Sequence, residues 1–138
     1  MFTLDPILSN DTHDLGSFEL CRLLLTDNKT FPWFILVPQV EYVTELHQLG
    51  LAAREQLWQE SALLSTWLEE VYAADKLNIA ALGNVVRQLH VHHIARYRND
   101  PAWPKPIWGI GETVPYTPDE IEALRRRVAE AFAADLLP

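Results

Sequence analysis

The chain has 138 residues, 49% hydrophobic and 22% charged, which suits one globular domain with a real core and leaves little room for a second. Lys plus Arg number 11 against 19 Asp plus Glu; the formal net charge of -8 disfavours nonspecific binding to nucleic acid or an anionic membrane surface. A single cysteine, Cys21, excludes an internal disulfide and any multi-cysteine zinc site.

Taken in chain order, Met1-Phe2-Thr3-Leu4-Asp5-Pro6 lacks the basic start and apolar run of a secretory signal, and no stretch is long enough to span a bilayer. The expectation is a cytoplasmic, reducing home. Phe18 to Leu25 is an apolar run, Thr26-Asp27-Asn28-Lys29-Thr30 a turn cluster, and Phe31 to Pro38 a second run, which together predict a β-hairpin. A short amphipathic segment near Tyr42 to Leu46 precedes a long helix over Leu51 to Ala74. On that helix Leu57, Leu64, Leu68 and Val71 recur at helical spacing, with Trp58, Trp67 and Tyr72 widening the stripe. Lys76 to Leu82 and Arg87 to Arg96 read as two more strands around a Gly83-Asn84 break. A Pro- and Trp-rich stretch follows, and Thr117-Pro118-Asp119-Glu120 then opens a last helix with a capping box. Strand, strand, helix, strand, strand, helix predicts an α+β fold with an antiparallel sheet.

The densest chemistry is Gln88-Leu89-His90-Val91-His92-His93-Ile94-Ala95-Arg96. On a strand, Gln88, His90 and His92 share one face with Ile94, while Leu89, Val91 and His93 point to the other. Two imidazoles about 6–7 Å apart beside a Gln can converge on one small anion. Spacing alone leaves three readings open. The pair can be polar decoration of an exposed face. It can be half of a metal site completed by His13, His47 or a carboxylate, although nothing supplies those ligands at a recognisable spacing. It can also be a nucleophilic or phosphate-binding site.

Asn78-Ile79-Ala80-Ala81-Leu82-Gly83-Asn84 followed by Gln88-Leu89-His90-Val91-His92 resembles the signature of the histidine triad (HIT) superfamily. Pro32 to Pro38 is similar to that family's strand before the long helix, and Trp103 to Gly109 resembles the tail of a bacterial branch. The resemblance spans about 15–110 within one domain over 1–138, leaving a C-terminal helix over about 118–136. It implies a meandering antiparallel sheet with one long packed helix, and a homodimer. It also implies a nucleotide phosphohydrolase or nucleotidyl transferase acting at the α-phosphate, with no cofactor, no nucleic acid and no membrane among its partners. The other readings are a nucleotide-binding protein with little or no turnover and a metal-dependent hydrolase.

By the same resemblance His90 is the nucleophile, His92 a phosphoryl ligand, and Gln88 the first triad position. Asn84 lies near the scissile phosphate, Asp27 and Asn28 at the ribose hydroxyls, and Arg96, on the arginine that often follows the motif, is a further nucleotide-binding residue. Asp-Asn is also a favoured turn sequence, which accounts for that pair equally well. Three residues depart from the pattern. Gln88 replaces a histidine with an amide that cannot titrate but can hold a neighbouring loop. His93 replaces an apolar residue and reads as structural, at the sheet or dimer edge. Val85 stands where some members carry a hydroxyl for the leaving group. Arg87 is free to help bind phosphate. Trp58, Trp67 and Trp33 read as core, Trp103 and Trp108 as a base pocket or dimer contact, and Cys21 as a buried small hydrophobe.

Overall fold

The computed structural model describes residues 1–138. Its element order is α1 (Pro6–Asp11), β1 (Thr12–Ser17), β2 (Cys21–Thr26), β3 (Trp33–Pro38), a 3-10 turn at Leu46–Gln48, α2 (Leu51–Tyr72), β4 (Lys76–Ala80), β5 (Val91–Arg96) and α3 (Pro118–Ala131). The strands form one five-stranded sheet in the order β1-β2-β3-β5-β4, antiparallel at every pairing. The expected α+β class holds, and so does the hairpin, in which Leu25 pairs with Phe34 and Cys21 with Pro38.

The period-two pattern sorts the strands into two faces. Leu23, Leu25, Phe34, Leu36 and Val91 pack against Leu57, Leu64, Trp67 and Leu68 of α2 in the main core. The C-terminal helix joins the same core through Leu124, Val128 and Phe132. Its capping box forms as expected, with Thr117 Oγ1 accepting from Glu120 N. The opposite face is covered without a long helix: Leu8 and Val86 lie over Leu24, Ile35 and Val37, and Ala102 and Ile107 lie over Phe31 and Ile94. That thinner cover leaves room for a site.

Several expectations need correction. Trp58 is 76% exposed, because it falls on the outer flank of α2, and Val71 is exposed as well. α2 instead buries Glu60, whose carboxylate accepts the backbone N–H groups of Leu20 and Cys21. Strand β5 begins at Val91 rather than Arg87, and β4 ends at Ala80, so the connecting segment is longer than the sequence suggested. His93 is not at an edge. It lies on the inner strand β5 under α2, where Ser61 Oγ meets its Nε2 at 2.7 Å. α1 and β1 carry no clear sequence signal. The helix is short, started by Asp5 capping Ile7 N before Pro6, and the strand is polar with an irregularity between Asp14 and Gly16. No helix is long and apolar enough to cross a membrane.

Candidate active site

The segment from Ala81 to His90 links β4 to β5; its Leu89 reaches the main core, while its Val86 packs on the sheet face opposite α2. His90 ends the segment and His92 sits on β5, both rings projecting to that face with centroids 4.9 Å apart. Both side chains are mostly buried. His90 Nδ1 lies 2.7 Å from the Gln88 carbonyl oxygen. A carbonyl only accepts, so neutral His90 carries its proton on Nδ1 and keeps a lone pair on Nε2. No protein group takes that lone pair.

Two clefts meet at this ring. One, of about 240 Å³, is polar and lined by Thr44, Glu45, Asn84, Arg87 and Gln88. The other, of about 310 Å³, is more apolar and lined by Ile7, Leu8, Leu82, Val86 and Trp108, with His92 at its wall. Asn84 and Gly83 border both. Gly83 is there because nothing larger fits. A Cβ at this position would lie 2.5 Å from the Val86 carbonyl oxygen and 2.9 Å from Cε1 of His90.

Gln88 does hold a neighbouring segment, and that segment is the N-terminus. Its Oε1 accepts from Asp5 N at 2.9 Å and its Nε2 donates to Thr3 O at 2.9 Å. Both ends of the amide are occupied, one accepting and one donating.

His92 is also fully engaged. Trp33 Nε1–H donates to its Nδ1 at 2.9 Å, and its Nε2 lies 2.8 Å from the Leu82 carbonyl oxygen. Burial, with the His90 ring nearby, pushes its pKa down to about 4 against the opposing pull of the Leu82 carbonyl. Trp108 and Trp33 flank the ring, at 5.0 and 5.7 Å between centroids.

The remaining expected residues divide. Asn84 is beside His90, its amide unpaired within the protein, and Arg87 joins it on the polar cleft. Asp27 and Asn28 line a separate polar cleft that Trp33 also borders. Their turn is held from both sides: Asp27 Oδ1 accepts from Tyr116 N and lies 3.1 Å from His13 Nε2, and Asn28 Oδ1 accepts from Thr30 N and Val114 N. Burial pushes Asp27 up, yet the Tyr116 N–H and His13 outweigh it and hold the carboxyl below its ordinary range. Asp27 Oδ2 and Asn28 Nδ2 have no protein partner.

Arg96 does not join the site. It is 1% exposed and its guanidinium is consumed by Asp100, at 2.8 and 3.1 Å, and by Asn78 Oδ1 at 2.6 Å. Lying two residues beyond Ile94 on β5, it faces Phe31 and Trp103 instead of either cleft. No group of three or more His, Cys, Asp or Glu side chains is arranged to hold a metal ion.

Two participants escaped the sequence reading, Trp33 as the partner of His92 and the Leu82 carbonyl, whereas Trp108, read as a base-pocket or dimer residue, lines the apolar cleft at the edge of His92. A usable signal for the first existed. Trp33 shares a face of β3 with Ile35, which pairs directly with His92, so the indole and the imidazole are diagonal neighbours.

A HIT domain family model matches residues 8–99. Among solved structures, the chain is similar to a histidine triad protein from Marinobacter aquaeolei, at 43% identity and TM-score 0.93, covering 97% of this chain and 98% of that one. It is similar to a histidine triad (HIT) protein from Sinorhizobium meliloti, at 40% identity and TM-score 0.91, over 95% and 97%. A third, from Bradyrhizobium japonicum, is 36% identical with TM-score 0.89, over 99% and 98%. No curated protein matches the chain.

Proposed function

Because the chain belongs to the histidine triad (HIT) family, a family of nucleotide hydrolases and transferases, we propose that it cleaves a nucleotide at the α-phosphate through a nucleotidyl intermediate on His90. The observation that carries this reading is the free Nε2 lone pair of His90, fixed by the Nδ1–H bond to the Gln88 carbonyl, at the junction of two clefts. Nε2 attacks phosphorus as the bond to the leaving group breaks and that group departs with the electron pair. The Gln88 carbonyl accepts from Nδ1–H throughout and steadies the positive charge on the ring. Water then attacks phosphorus, the P–N bond returns its electrons to Nε2, and the water's proton passes to solvent.

Asn84 and Arg87 are the groups available to phosphoryl oxygens on the polar side. Asp27 Oδ2 as acceptor and Asn28 Nδ2 as donor match the needs of a ribose diol. Val85 is 83% exposed and offers no proton, which favours leaving groups that depart as anions. Replacing Arg87 by Ala is expected to raise KM about 10-fold, the worth of one charge-assisted hydrogen bond, with kcat little changed. Unaltered KM on every anionic substrate would remove Arg87 from phosphate recognition.

The pH profile tests the nucleophile. Burial holds His92 and His93 down to about 4, so neither gains a proton between pH 5 and 8. Neither should therefore add an ionisation to the acid limb of kcat/KM over that range. A two-proton acid limb would show that a second imidazole takes part.

Dinucleoside polyphosphates, nucleoside phosphoramidates and adenylylated acids, assayed with and without a chelator, test the reading as a whole. Cleavage of one of them, with a trapped nucleotidyl-protein, supports it. Nucleotide binding with no cleavage of any would leave a binding protein, which the missing hydroxyl at Val85 and the non-titrating Gln88 favour as the second reading. Pairing of two copies is part of the same proposal: β1 and β4 are open sheet edges, and Ile79 of β4 is half-exposed. Light scattering that returned a mass near 15.8 kDa at micromolar protein would reject it.

A further inference from the structure

The connection between Trp33, His92 and Leu82 has only one arrangement of protons. An indole N–H only donates and a carbonyl only accepts. His92 is therefore the neutral tautomer with its proton on Nε2, and one directed chain runs from Trp33 Nε1–H to His92 Nδ1 and from His92 Nε2–H to the Leu82 carbonyl. A proton added at Nδ1 would face the indole N–H, which agrees with the low pKa of this ring.

The chain ends on the turn that touches the nucleophile. Gly83 follows Leu82, and its backbone lies so close to His90 that a Cβ would meet Cε1 at 2.9 Å. Asn84 comes next and borders both clefts. The flanking Trp33 and Trp108 rings leave His92 little freedom to turn away from Leu82. Trp33 itself is anchored at the start of β3, opposite Ile94.

We propose that His92 is a positioning residue: held by Trp33, it clamps the Leu82-Gly83-Asn84 turn against His90 and so fixes the approach of a phosphoryl group to Nε2 of His90. This rests on the reading of His90 as nucleophile, and it differs from the phosphoryl-ligand role expected by resemblance, because both nitrogens of His92 are already engaged.

The test uses the full chain and two variants. Trp33→Phe keeps a ring and removes the N–H, while His92→Gln keeps a donor for the Leu82 carbonyl. Nitrogen-15 NMR of the wild type should show His92 with Nδ1 bare and Nε2 protonated from pH 5 to 8, unmoved by adenosine 5′-monophosphate. In Trp33→Phe, backbone order at Gly83 and Asn84 should drop. On whichever nucleotide is cleaved, kcat should fall roughly 10- to 100-fold with KM nearly constant, as expected of a misplaced nucleophile. His92→Gln should retain part of the activity, and the double variant should be no worse than the poorer single one. The clamp is overturned if the monophosphate draws Nε2–H away from Leu82 and loosens the turn, since His92 is then a phosphoryl ligand. It is overturned equally if Trp33→Phe leaves the order of Gly83 and Asn84 unchanged. A protein that cleaves no nucleotide would refute the nucleophile assignment, while the tautomer and order measurements on the free protein would still decide on the clamp.

Discussion

His90→Ala is expected to lower kcat by roughly a thousandfold or more while the protein stays folded and still binds nucleotide. The expectation follows from the proton count on one ring. Nδ1 is committed to the Gln88 carbonyl, and Nε2 is the one lone pair at the meeting point of the two clefts. No other side chain there can replace it. His92 has no free nitrogen, Gln88 is an amide tied to Thr3 and Asp5, and Cys21 is buried on the strand β2 with its thiol pKa raised by burial and by Glu60. The ring is an end wall of the clefts and not a central pillar of either core cluster, so its loss should leave the sheet intact.

The control is His93→Ala. That ring is 1% exposed and bonded to Ser61 and to the Val91 carbonyl on the α2 side. Removing it should cost about 1–3 kcal/mol of stability through an unpaired hydroxyl and a small void, and leave kcat within a few-fold. The readouts are kcat, and mass spectrometry of the acid-labile, base-stable nucleotidyl-protein. If His93→Ala abolished turnover in a folded protein while His90→Ala retained it, the register that places His90 on the pocket face would be wrong.

What the sequence disclosed follows from what local patterns encode. Alternation along the strand expected over Arg87 to Arg96 put His90 and His92 on one face and His93 on the other; β5 itself begins at Val91, and His90, just before it, keeps the same side. Apolar periodicity found α2, yet it could not choose between neighbouring flanks of the helix. Trp58 therefore read as core, while the partner actually buried was Glu60, a carboxylate whose value lies in the backbone N–H groups of a distant strand. β1 carries almost no apolar signal, since an edge strand with one polar face depends on its neighbour for its hydrogen bonds. The ion pair of Arg96 was equally invisible. An arginine after the motif reads as a nucleotide-binding residue until the loop from Tyr97 onward folds back and supplies Asp100. Trp33 is the clearest case at the site: it read as core, yet it is only half-buried, and its indole N–H is spent on a residue 59 positions away.

That same Arg96 carries the largest expected effect on stability. Asp100→Ala should lower the unfolding free energy by about 3–5 kcal/mol at pH 7, because it strands a guanidinium inside the protein with only Asn78 to satisfy it. Asp100 does more than pair with Arg96. Its two oxygens also accept the backbone N–H groups of Tyr97, Ala102 and Trp103, so the carboxylate pins the start of the loop that carries Trp108 to the edge of His92. Burial pushes the Asp100 pKa up, but Arg96 and those N–H groups outweigh it and hold it at about 2, below the ordinary carboxylate value of 3.8. A lowered folded-state pKa means stability that is present in full above the unfolded value and is lost as pH falls from about 4 towards 2. Asp100→Asn retains one accepting oxygen, so it should cost less than Asp100→Ala and should abolish that acid-side step. The paired variant Arg96→Met/Asp100→Asn should recover part of the loss, since no charge is then left buried. Urea unfolding at pH 7 and again between pH 2 and 4 measures all of these. An Asp100→Ala protein within about 1 kcal/mol of the wild type would mean that the guanidinium escapes to water, and that the loop bearing Trp108 is held by its apolar contacts alone.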